Sequence, residues 1–393
     1  MPSRRQFLAG ASAAALAGTA GCLGSDAPRY AGGDDPRTDW WPQATFDVHG
    51  TCYNPRAVGP TGGVTERWSL ETSGPSARPV VADGRAYLPT ASAVLAVDAA
   101  SGDVLWREDG GDPPLWPREV CVHGDTVYVA AVEEPAVVAL DAASGRRRWT
   151  FSPREGEFGV RSLLVQPREH SPVLYAGGDG AVYALDPATG RTDWRREVFG
   201  TVAHLALGLP SLVAVTETGE VYALSVDDGT GQWRRNLNAR TTALAAPYGS
   251  GPVVSSFGGP TTALDRSAGA TRWQRDGWSA DSLVVTADTL FTAGSQLTAR
   301  GTGDGRARWT GGATTQCGPA GAGRTVYAAS EDAVTAYEFG GGVGLGGLRF
   351  DATRWSHDVE GRPEQGLAVA DGAVFVLTEG SGEGERSMAY ALA

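Results

Sequence analysis

A tryptophan that recurs roughly every forty residues constrains this chain more than any other feature of its sequence. The clearest copy of the repeated unit is residues 182–194, VYALDPATGRTDW, where a short apolar stretch leads to an Asp, a glycine-closed turn and Trp194. Valine, tyrosine and leucine favour a strand, while Asp186 and Gly190 favour a tight turn. The indole that follows has to be buried against a neighbouring sheet. The unit therefore predicts stacked repeats that are rich in strands.

Eight tryptophans belong to this series, at intervals of 36 to 46 residues. The unit is distorted before the last of them, where a glycine-rich insertion, residues 340–347, interrupts it. Several short strands per copy at this spacing are typical of a propeller. We expect each tryptophan to dock one blade on the next. The eight are Trp68, Trp106, Trp149, Trp194, Trp233, Trp273, Trp309 and Trp355.

The two ends of the repeat array have complementary defects. The last copy supplies three predicted strands, at residues 366–370, 373–378 and 387–392, and no tryptophan strand follows them. The strand of Trp68 has no three strands before it. Joining the two leaves no unpaired sheet edge. We therefore predict an all-β, eight-bladed propeller of four-stranded antiparallel blades over residues 62–393, with the Trp68 strand closing the ring.

The N-terminal region precedes this array and divides into three segments. Arg4 and Arg5, with the apolar stretch that follows, resemble a twin-arginine export signal. That stretch is too short for a stable membrane span and ends in TAGC, which resembles a lipobox with Cys22 as the lipidated residue. We predict a signal peptide over residues 1–21, a flexible tether over 22–38, and an ordered arm over 39–61 that packs on the propeller. These features predict export and lipid anchoring at the outer face of the cytoplasmic membrane.

The charge of the chain limits its partners. There are 45 acidic residues against 33 basic ones, all of them arginine, which gives a net charge of −12. Such a balance argues against nucleic acid as a partner. It is typical of a protein that an acidic surface keeps soluble. We expect a monomer that meets the membrane through the lipid on Cys22 and binds a protein partner of unknown identity.

The A-x-D-x-x-[ST]-G-x-x-x-W repeat resembles that of PQQ-like, or quinoprotein-like, β-propellers, over about residues 62–393. A WD40 propeller is the rival, but none of the eight tryptophans is followed by Asp and no Gly-His dipeptide occurs. The arm sequence WPQATFDVHGTCYNP resembles segments that precede such propellers in exported members. The chain is thus similar to exported lipoproteins of the outer-membrane barrel-assembly type.

The resemblance implies two classes of function, namely quinone-dependent dehydrogenases and non-catalytic scaffolds. Many of the dehydrogenases carry a disulfide between adjacent cysteines and a calcium held by acidic and Asn side chains. The four cysteines here are not adjacent, and no C-x-x-C-H haem motif occurs. We therefore expect no cofactor, metal or catalytic residue, and interpret the protein as a membrane-anchored, extracytoplasmic scaffold that binds a protein. The alternative is a PQQ-dependent alcohol or sugar dehydrogenase.

Two groups of side chains are candidates for binding. Arg78, Arg118 and Arg161 enter the first strands of three successive blades near the mouth of the central channel. Three arginines there could bind an anion or an acidic partner segment, but they are not in strict register, so scattered solvated arginines are the better explanation. Trp116 and Trp278 lie outside the repeat positions, and exposed aromatics would favour a second alternative, a carbohydrate-binding propeller.

Overall fold

The structure is a computed structural model that describes residues 37–110, 115–133, 135–155, 157, 159–168, 171–314, 317–345, 348–350, 352–380 and 385–393. In these residues the secondary structure is β-strand joined by turns and bends, without a helix. It follows that no helical segment of the described chain is long and apolar enough to cross a membrane. The all-β class expected from the repeat is observed.

Thirty-three strands are present in the described residues. The strands of the first half are β1 (Tyr53–Asn54), β2 (Glu66–Thr72), β3 (Val80–Ala82), β4 (Arg85–Thr90), β5 (Ala93–Asp98), β6 (Val104–Glu108), β7 (Pro117–His123), β8 (Thr126–Ala131), β9 (Val137–Asp141), β10 (Arg147–Phe151), β11 (Val160–Gln166), β12 (Val173–Leu185), β13 (Thr192–Gly208), β14 (Ser211–Thr216), β15 (Glu220–Ser225) and β16 (Gly231–Asn236). The strands of the second half are β17 (Thr241–Ala245), β18 (Val253–Ser256), β19 (Pro260–Leu264), β20 (Thr271–Asp276), β21 (Val284–Val285), β22 (Thr289–Ala293), β23 (Gln296–Gly301), β24 (Ala307–Ala313), β25 (Ala320–Ala322), β26 (Thr325–Ala329), β27 (Ala333–Glu338), β28 (Val343–Leu345), β29 (Leu348–Phe350), β30 (Thr353–Asp358), β31 (Arg362–Ala370), β32 (Ala373–Glu379) and β33 (Ser387–Leu392).

The prediction of eight blades is wrong, because the described strands form seven sheets of four to six strands, apart from the β28–β29 hairpin. Five sheets have four strands, one gains β1 as a fifth, and one has six, in the order β11-β12-β13-β14-β15-β16. The difference arises at β13, a strand of 17 residues. Its first part pairs with β12 and its second part with β14. The third and fourth repeats thereby share one strand and merge, so the propeller counted by sheets has seven blades.

The strand of Trp68 closes the ring. β2 pairs antiparallel with β33 through six residue pairs. Just beyond the ladder, Thr65 and Ala393 exchange backbone hydrogen bonds of 2.8 and 2.9 Å. The resulting sheet, β2-β33-β32-β31, joins both ends of the repeat array in one blade.

Each repeat tryptophan docks on the turn of the following repeat. Its indole Nε1 donates to the backbone carbonyl that directly follows the Asp position of that turn, over 2.7–3.4 Å. The last indole meets the segment before β2 instead, because β2 supplies the outer strand of the next sheet. The donor–acceptor pairs are Trp68–Ala99, Trp106–Ala142, Trp149–Pro187, Trp194–Val226, Trp233–Arg266, Trp273–Thr302, Trp309–Phe339 and Trp355–Pro60.

The turn glycine is required by both conformation and space, as Gly190 illustrates. Its φ is +71°, which residues with a Cβ rarely adopt, and a Cβ there would lie 2.5 Å from Cε3 of Trp149. Asp186 organises the same turn, since its carboxylate accepts the N–H of Ala188 over 2.8 Å. The glycine of each turn is therefore needed because the indole of the preceding repeat packs against it. The same crowding occurs at Gly102, Gly145, Gly229, Gly269, Gly305 and Gly341.

We expect Gly190→Ala to lower the free energy of unfolding more than Gly180→Ala. Both glycines have a positive φ, but nothing lies within 4 Å of a Cβ at Gly180. The backbone cost of about 1–2 kcal/mol is common to both variants. Crowding of Trp149 adds about 1–3 kcal/mol at Gly190 alone. Urea unfolding of the two variants measures the difference. Equal decreases in the free energy of unfolding would show that Trp149 can shift to make room for the Cβ at no energetic cost.

A segment that we call the strap, residues 41–54, runs around the centre of the ring. The first strands of the sheets face this centre, since β3 contacts β7, β7 contacts β11, and β31 contacts both β25 and β3. Backbone N–H groups near the ends of these strands donate to strap carbonyls over 2.6–3.0 Å. The donor–acceptor pairs are Val81–Trp41, Val122–Pro42, Leu207–Val48, Ala246–His49, Val285–Thr51, Gly321–Cys52 and Gly323–Asn54. In the third repeat, Val165 N donates to the side-chain oxygen of Gln43 over 2.9 Å.

The interior of the strap is buried and internally bonded. Trp41 and Tyr53 are fully buried, and β1 adds to β25 as a parallel strand. The Asp47 carboxylate accepts the N–H groups of His49 and Thr51, each over 3.0 Å, which fixes the bend between the two halves of the strap. The strap therefore closes the channel where the first strands end. We call the opposite end, where these strands begin, the mouth.

Candidate functional site

The side chain of Arg78 lies inside the ring, between the strap and the mouth. It stands just before β3 and is 4% exposed. Its guanidinium donates to Ser282 Oγ over 2.7 Å, to Cys52 Sγ over 3.1 Å and to the Gln365 carbonyl over 3.4 Å. These partners belong to the strap and to two other repeats. Arg78 thus connects parts of the chain that are distant in sequence.

The backbone around Arg78 is shaped to admit it. A Cβ on Gly318 or on Gly366 would collide with Nη2 of the guanidinium. Non-glycine residues in the left-handed region are costly and often mark functional sites. Three of the seven such residues in the described chain contact Arg78 or adjoin its partners, namely Cys52, Asp281 and Gln365, with φ of 46°, 49° and 63°. The strain is therefore concentrated around this side chain.

Three carboxylates, those of Glu119, Asp281 and Glu364, lie in the region of Arg78. Glu119 lies on β7, where it accepts the N–H of Leu163 over 2.9 Å, and burial raises its pKa to about 7 although that bond and Arg78 act in the opposite direction. Burial among the channel walls raises the pKa of Asp281 to about 6, with Arg78 lowering it and Glu364 raising it. Asp281 is exposed to solvent, whereas Glu119 is half-buried. Both acids are placed to exchange protons near neutral pH.

We expect Glu119→Gln to change how stability depends on pH. Because the folded-state pKa lies above the usual value of 4.5, the folded protein binds more protons than the unfolded chain between about pH 4.5 and 7. Stability then falls as the pH rises through that window, and Gln removes this loss while keeping an acceptor for Leu163. The variant should gain at least about 1 kcal/mol relative to the parent between pH 5 and pH 8. Urea unfolding at both pH values, with the exposed Glu217→Gln as control, tests this. Parallel pH curves for parent and Glu119→Gln would contradict the assignment.

Arg78 carries a charge without a bonded counter-ion. Its three acceptors are neutral, and among the described residues no carboxylate lies within the 4.0 Å ion-pair distance of its guanidinium. A buried cation without a paired anion is strongly unfavourable. Arginine presents a planar donor fork that matches carboxylates and other planar oxyanions. The geometry is therefore that of a site which an anionic group can complete from the mouth.

The cysteines of the channel are thiols. Cys52, Cys121 and Cys317 are buried and free. Burial raises the pKa of Cys317 to about 12 and also raises that of Cys52, so both remain protonated near neutral pH. In the part of the chain that the structure describes, no group of three His, Cys, Asp or Glu side chains could hold a metal ion.

The three arginines proposed from sequence do not behave alike. Arg118 is exposed, and Arg161 forms an exposed ion pair with Glu217 at 3.4 Å. Only Arg78 points into the buried centre. Sequence reasoning missed Glu119 and Asp281. Glu119 stands directly before an apolar run and Asp281 two residues before one, and a charged residue at the start of a buried strand is the signal that could have identified them.

The other candidates are placed as follows. Trp116 is 43% exposed. Trp278 is half-buried against the ring of Phe257, with 4.8 Å between centroids, and Arg240 stacks over Phe257 at 5.4 Å. Arg4, Arg5 and Cys22 lie outside the described residues.

The repeat and its fold match a known family. A family model of PQQ-like repeats, described as outer membrane protein assembly factor BamB, matches residues 57–152 and 133–342, which is more than half of the chain. The chain belongs to the PQQ-like propeller family. The resemblance drawn from the tryptophan repeat is confirmed.

Among curated proteins, this PQQ-like propeller is similar to alcohol dehydrogenases. It is 31% identical over 183 residues to the quinohemoprotein alcohol dehydrogenase of Comamonas testosteroni, which is 40% of this chain and 26% of that protein. It is 34% identical over 184 residues to the 1-butanol dehydrogenase (cytochrome c) of Thauera butanivorans, which is 42% of this chain and 25% of that protein. The match spans about a quarter of the length of these relatives.

Solved structures show the same fold. The quinohemoprotein alcohol dehydrogenase of Comamonas testosteroni superposes with a TM-score of 0.67 at 15% identity, over 91% of this chain and 81% of that one. BamB of Moraxella catarrhalis superposes with a TM-score of 0.63 at 14% identity, over 84% of this chain and 99% of that one.

The comparisons correct the expectation of no cofactor. That expectation rested on the missing adjacent cysteines and the missing haem motif. Yet several of the curated relatives are named as quinohemoprotein or quinone alcohol dehydrogenases. The lack of adjacent cysteines and of a haem motif is therefore not enough to distinguish this chain from family members that carry a cofactor.

Proposed function

We propose that this propeller is a quinone-dependent oxidoreductase of alcohols or sugars, whose channel holds an anionic quinone beside Arg78. The observation that carries the proposal is the buried Arg78 without a paired carboxylate, with Glu119 and Asp281 nearby. A propeller that served only as a framework would gain nothing from this strained and charged centre. The similarity to quinone alcohol dehydrogenases supports the same assignment.

The residues of the channel fit the charged part of such a cofactor. Pyrroloquinoline quinone is flat and bears carboxylates, and Arg78 offers the matching donor fork. Gly318 and Gly366 make room for the guanidinium itself, because a Cβ on either residue would collide with its Nη2. No group of metal ligands occurs in the described residues, so the proposal contains no metal.

The chemistry divides between the cofactor and this chain. When bound, the quinone supplies a two-electron acceptor. Arg78 orients it by holding a carboxylate or a ring oxygen. Glu119, with a pKa of about 7, accepts the proton of the substrate hydroxyl, and Asp281 is the second base within reach of solvent. The strap closes the far end of the channel, so substrate enters through the mouth.

Titration of the purified protein with pyrroloquinoline quinone tests the proposal. We expect a rise in melting temperature and dye-linked oxidation of ethanol or glucose. Arg78→Gln should weaken quinone binding at least about ten-fold, whereas the exposed Arg161→Gln should bind like the parent. Because Arg78→Gln removes three hydrogen bonds, Glu119→Gln serves as a second variant, with binding retained and turnover lost. A parent protein that shows neither binding nor oxidation overturns the proposal.

A protein-binding scaffold is the second candidate. It is favoured by the family description and by the coverage of the BamB fold, which reaches 99% of that chain. Binding of a membrane-assembly partner by a protein that does not bind quinone would support it.

We also propose an extracytoplasmic location with a lipid anchor. The support is the pair Arg4-Arg5 and the sequence around Cys22. Cys22→Ser should release the exported protein from the membrane fraction. An unchanged distribution would leave a protein partner as the anchor.

A further inference from the structure

A groove crosses the six-stranded sheet where the third and fourth repeats merge. Its volume is about 450 Å³, and its walls come from β13, β15 and β16. We call it the arginine–aromatic groove, after Arg196, Phe199, Tyr222, Trp233 and Arg234, which line it. It lies on a different part of the molecule from Arg78, so it is independent of the proposed quinone site.

The groove exposes an aromatic ring for a structural reason. β13 continues from one repeat into the next without a turn, so Phe199 projects from the middle of a strand and is 69% exposed. Its N–H donates to the hydroxyl of Tyr222 over 2.9 Å, which holds this part of the strand in place. A single exposed apolar side chain is common, but Phe199 lies with Tyr222 and Trp233 in the lining of one groove, and such contiguous aromatic surfaces mark interaction sites.

The groove contains one arginine that has no ion-pair partner among the described carboxylates. Arg234 stacks over Tyr222 at 5.3 Å and is bonded to Glu220, which fixes its position. Arg196 forms no ion pair with any described carboxylate, and Glu197 at the rim is already paired with Arg195 at 3.0 Å. A protein of net charge −12 therefore presents here the unpaired Arg196, and beside it Arg234, which is held by Glu220 over the ring of Tyr222. Such a surface complements carboxylates flanked by apolar groups.

The groove also has an unpaired strand edge. β16 is the last strand of its sheet, and it is exposed along most of its length. An edge of this kind offers backbone donors and acceptors to an extended chain, whereas a sugar has no such backbone to pair with it.

We propose that the arginine–aromatic groove binds an extended, acidic segment of a partner protein, which lies along β16. An apolar side chain of the segment packs on Phe199, and its carboxylates bond Arg196 and Arg234. The partner is thus defined by its chemistry, with carboxylates alternating with apolar side chains in an extended chain.

Fluorescence anisotropy with a short labelled peptide of alternating glutamate and valine, with one phenylalanine, tests the proposal. Phe199→Ser and Arg196→Glu should each weaken binding at least about five-fold, and added salt should weaken it in the parent. Tyr248→Ser and Arg191→Glu are matched controls, since they alter an exposed ring and an exposed arginine away from the groove. All four positions are exposed, so the variants should melt like the parent.

Three results would overturn the proposal. The parent protein fails to bind the acidic peptide, or it binds a lysine version of the peptide equally well. Alternatively, the groove variants bind like the controls. Tight binding of polyglucuronate that displaces the peptide would instead assign the groove to an acidic polysaccharide.

Discussion

Trp41→Ala should lower the free energy of unfolding by about 3–5 kcal/mol, because it empties the site of one of the largest buried side chains. Trp41 is fully buried, its ring lies 5.1 Å from that of Phe46, and its backbone exchanges two hydrogen bonds with Val81. Loss of the indole also loosens the beginning of the strap. The first strands donate backbone hydrogen bonds to the carbonyls of this strap. Urea unfolding followed by circular dichroism measures the effect.

The adjacent Trp40 provides a matched control. Its ring is only half-buried, under Arg37 at 4.5 Å, and its Nε1 reaches Asp83 at 3.5 Å. Removing such a surface contact costs about 1 kcal/mol or less. If Trp40→Ala and Trp41→Ala destabilise the protein equally, the strap does not hold the centre of the ring together.

Replacing residues 64–72 by a Gly/Ser linker of the same length should destabilise the whole propeller by several kcal/mol. The change removes the β2–β33 ladder, worth about 0.5–1.5 kcal/mol per hydrogen bond, and the buried indole of Trp68. It also exposes the edge of β33, so the variant should associate. Urea unfolding and sedimentation velocity report the two effects.

A rescue variant serves as the control for this prediction. Thr65 and Ala393 are hydrogen-bonded to each other, so residues 64–72 can be appended after Ala393 through a tight turn. The appended strand should restore both stability and the monomer. A linker variant that melts like the parent and stays monomeric would show that closure by β2 adds nothing.

The sequence alone is sufficient to predict the repeat unit, but it is not sufficient to predict the number of sheets that the repeats form. Asp, glycine and tryptophan at fixed spacing specify a turn and a docked ring, and these are local properties. The predicted number of blades is wrong because of residues 195–202, RREVFGTV. There the β-prone Val, Phe and Thr residues replace the turn-rich connections found between other repeats. The continuous strand β13 follows from that stretch.

The centre of the ring was harder to predict. Arg78 stands just before β3, whereas Arg118 and Arg161 are the second residues of β7 and β11 and remain on the surface. Which of them turns inward depends on partners such as Ser282, more than two hundred residues away. The route of the strap was equally hidden, because it bonds mainly through backbone carbonyls, which every residue carries.

The strap also imposes an order on assembly. It leaves the ribosome before every strand that it binds, yet its bonds run from Val81 to Gly323, and the hydroxyl of Tyr53 donates to the Gly323 carbonyl across 270 residues. Contacts this distant in sequence form slowly. The bonds of the strap with Val81 can form early, but those with Gly321 and Gly323 need nearly the whole chain. In a nascent chain that has not reached residue 323, the strap lacks its last hydrogen-bond partners. Its apolar side chains then stay available to other proteins until the last repeats have been made.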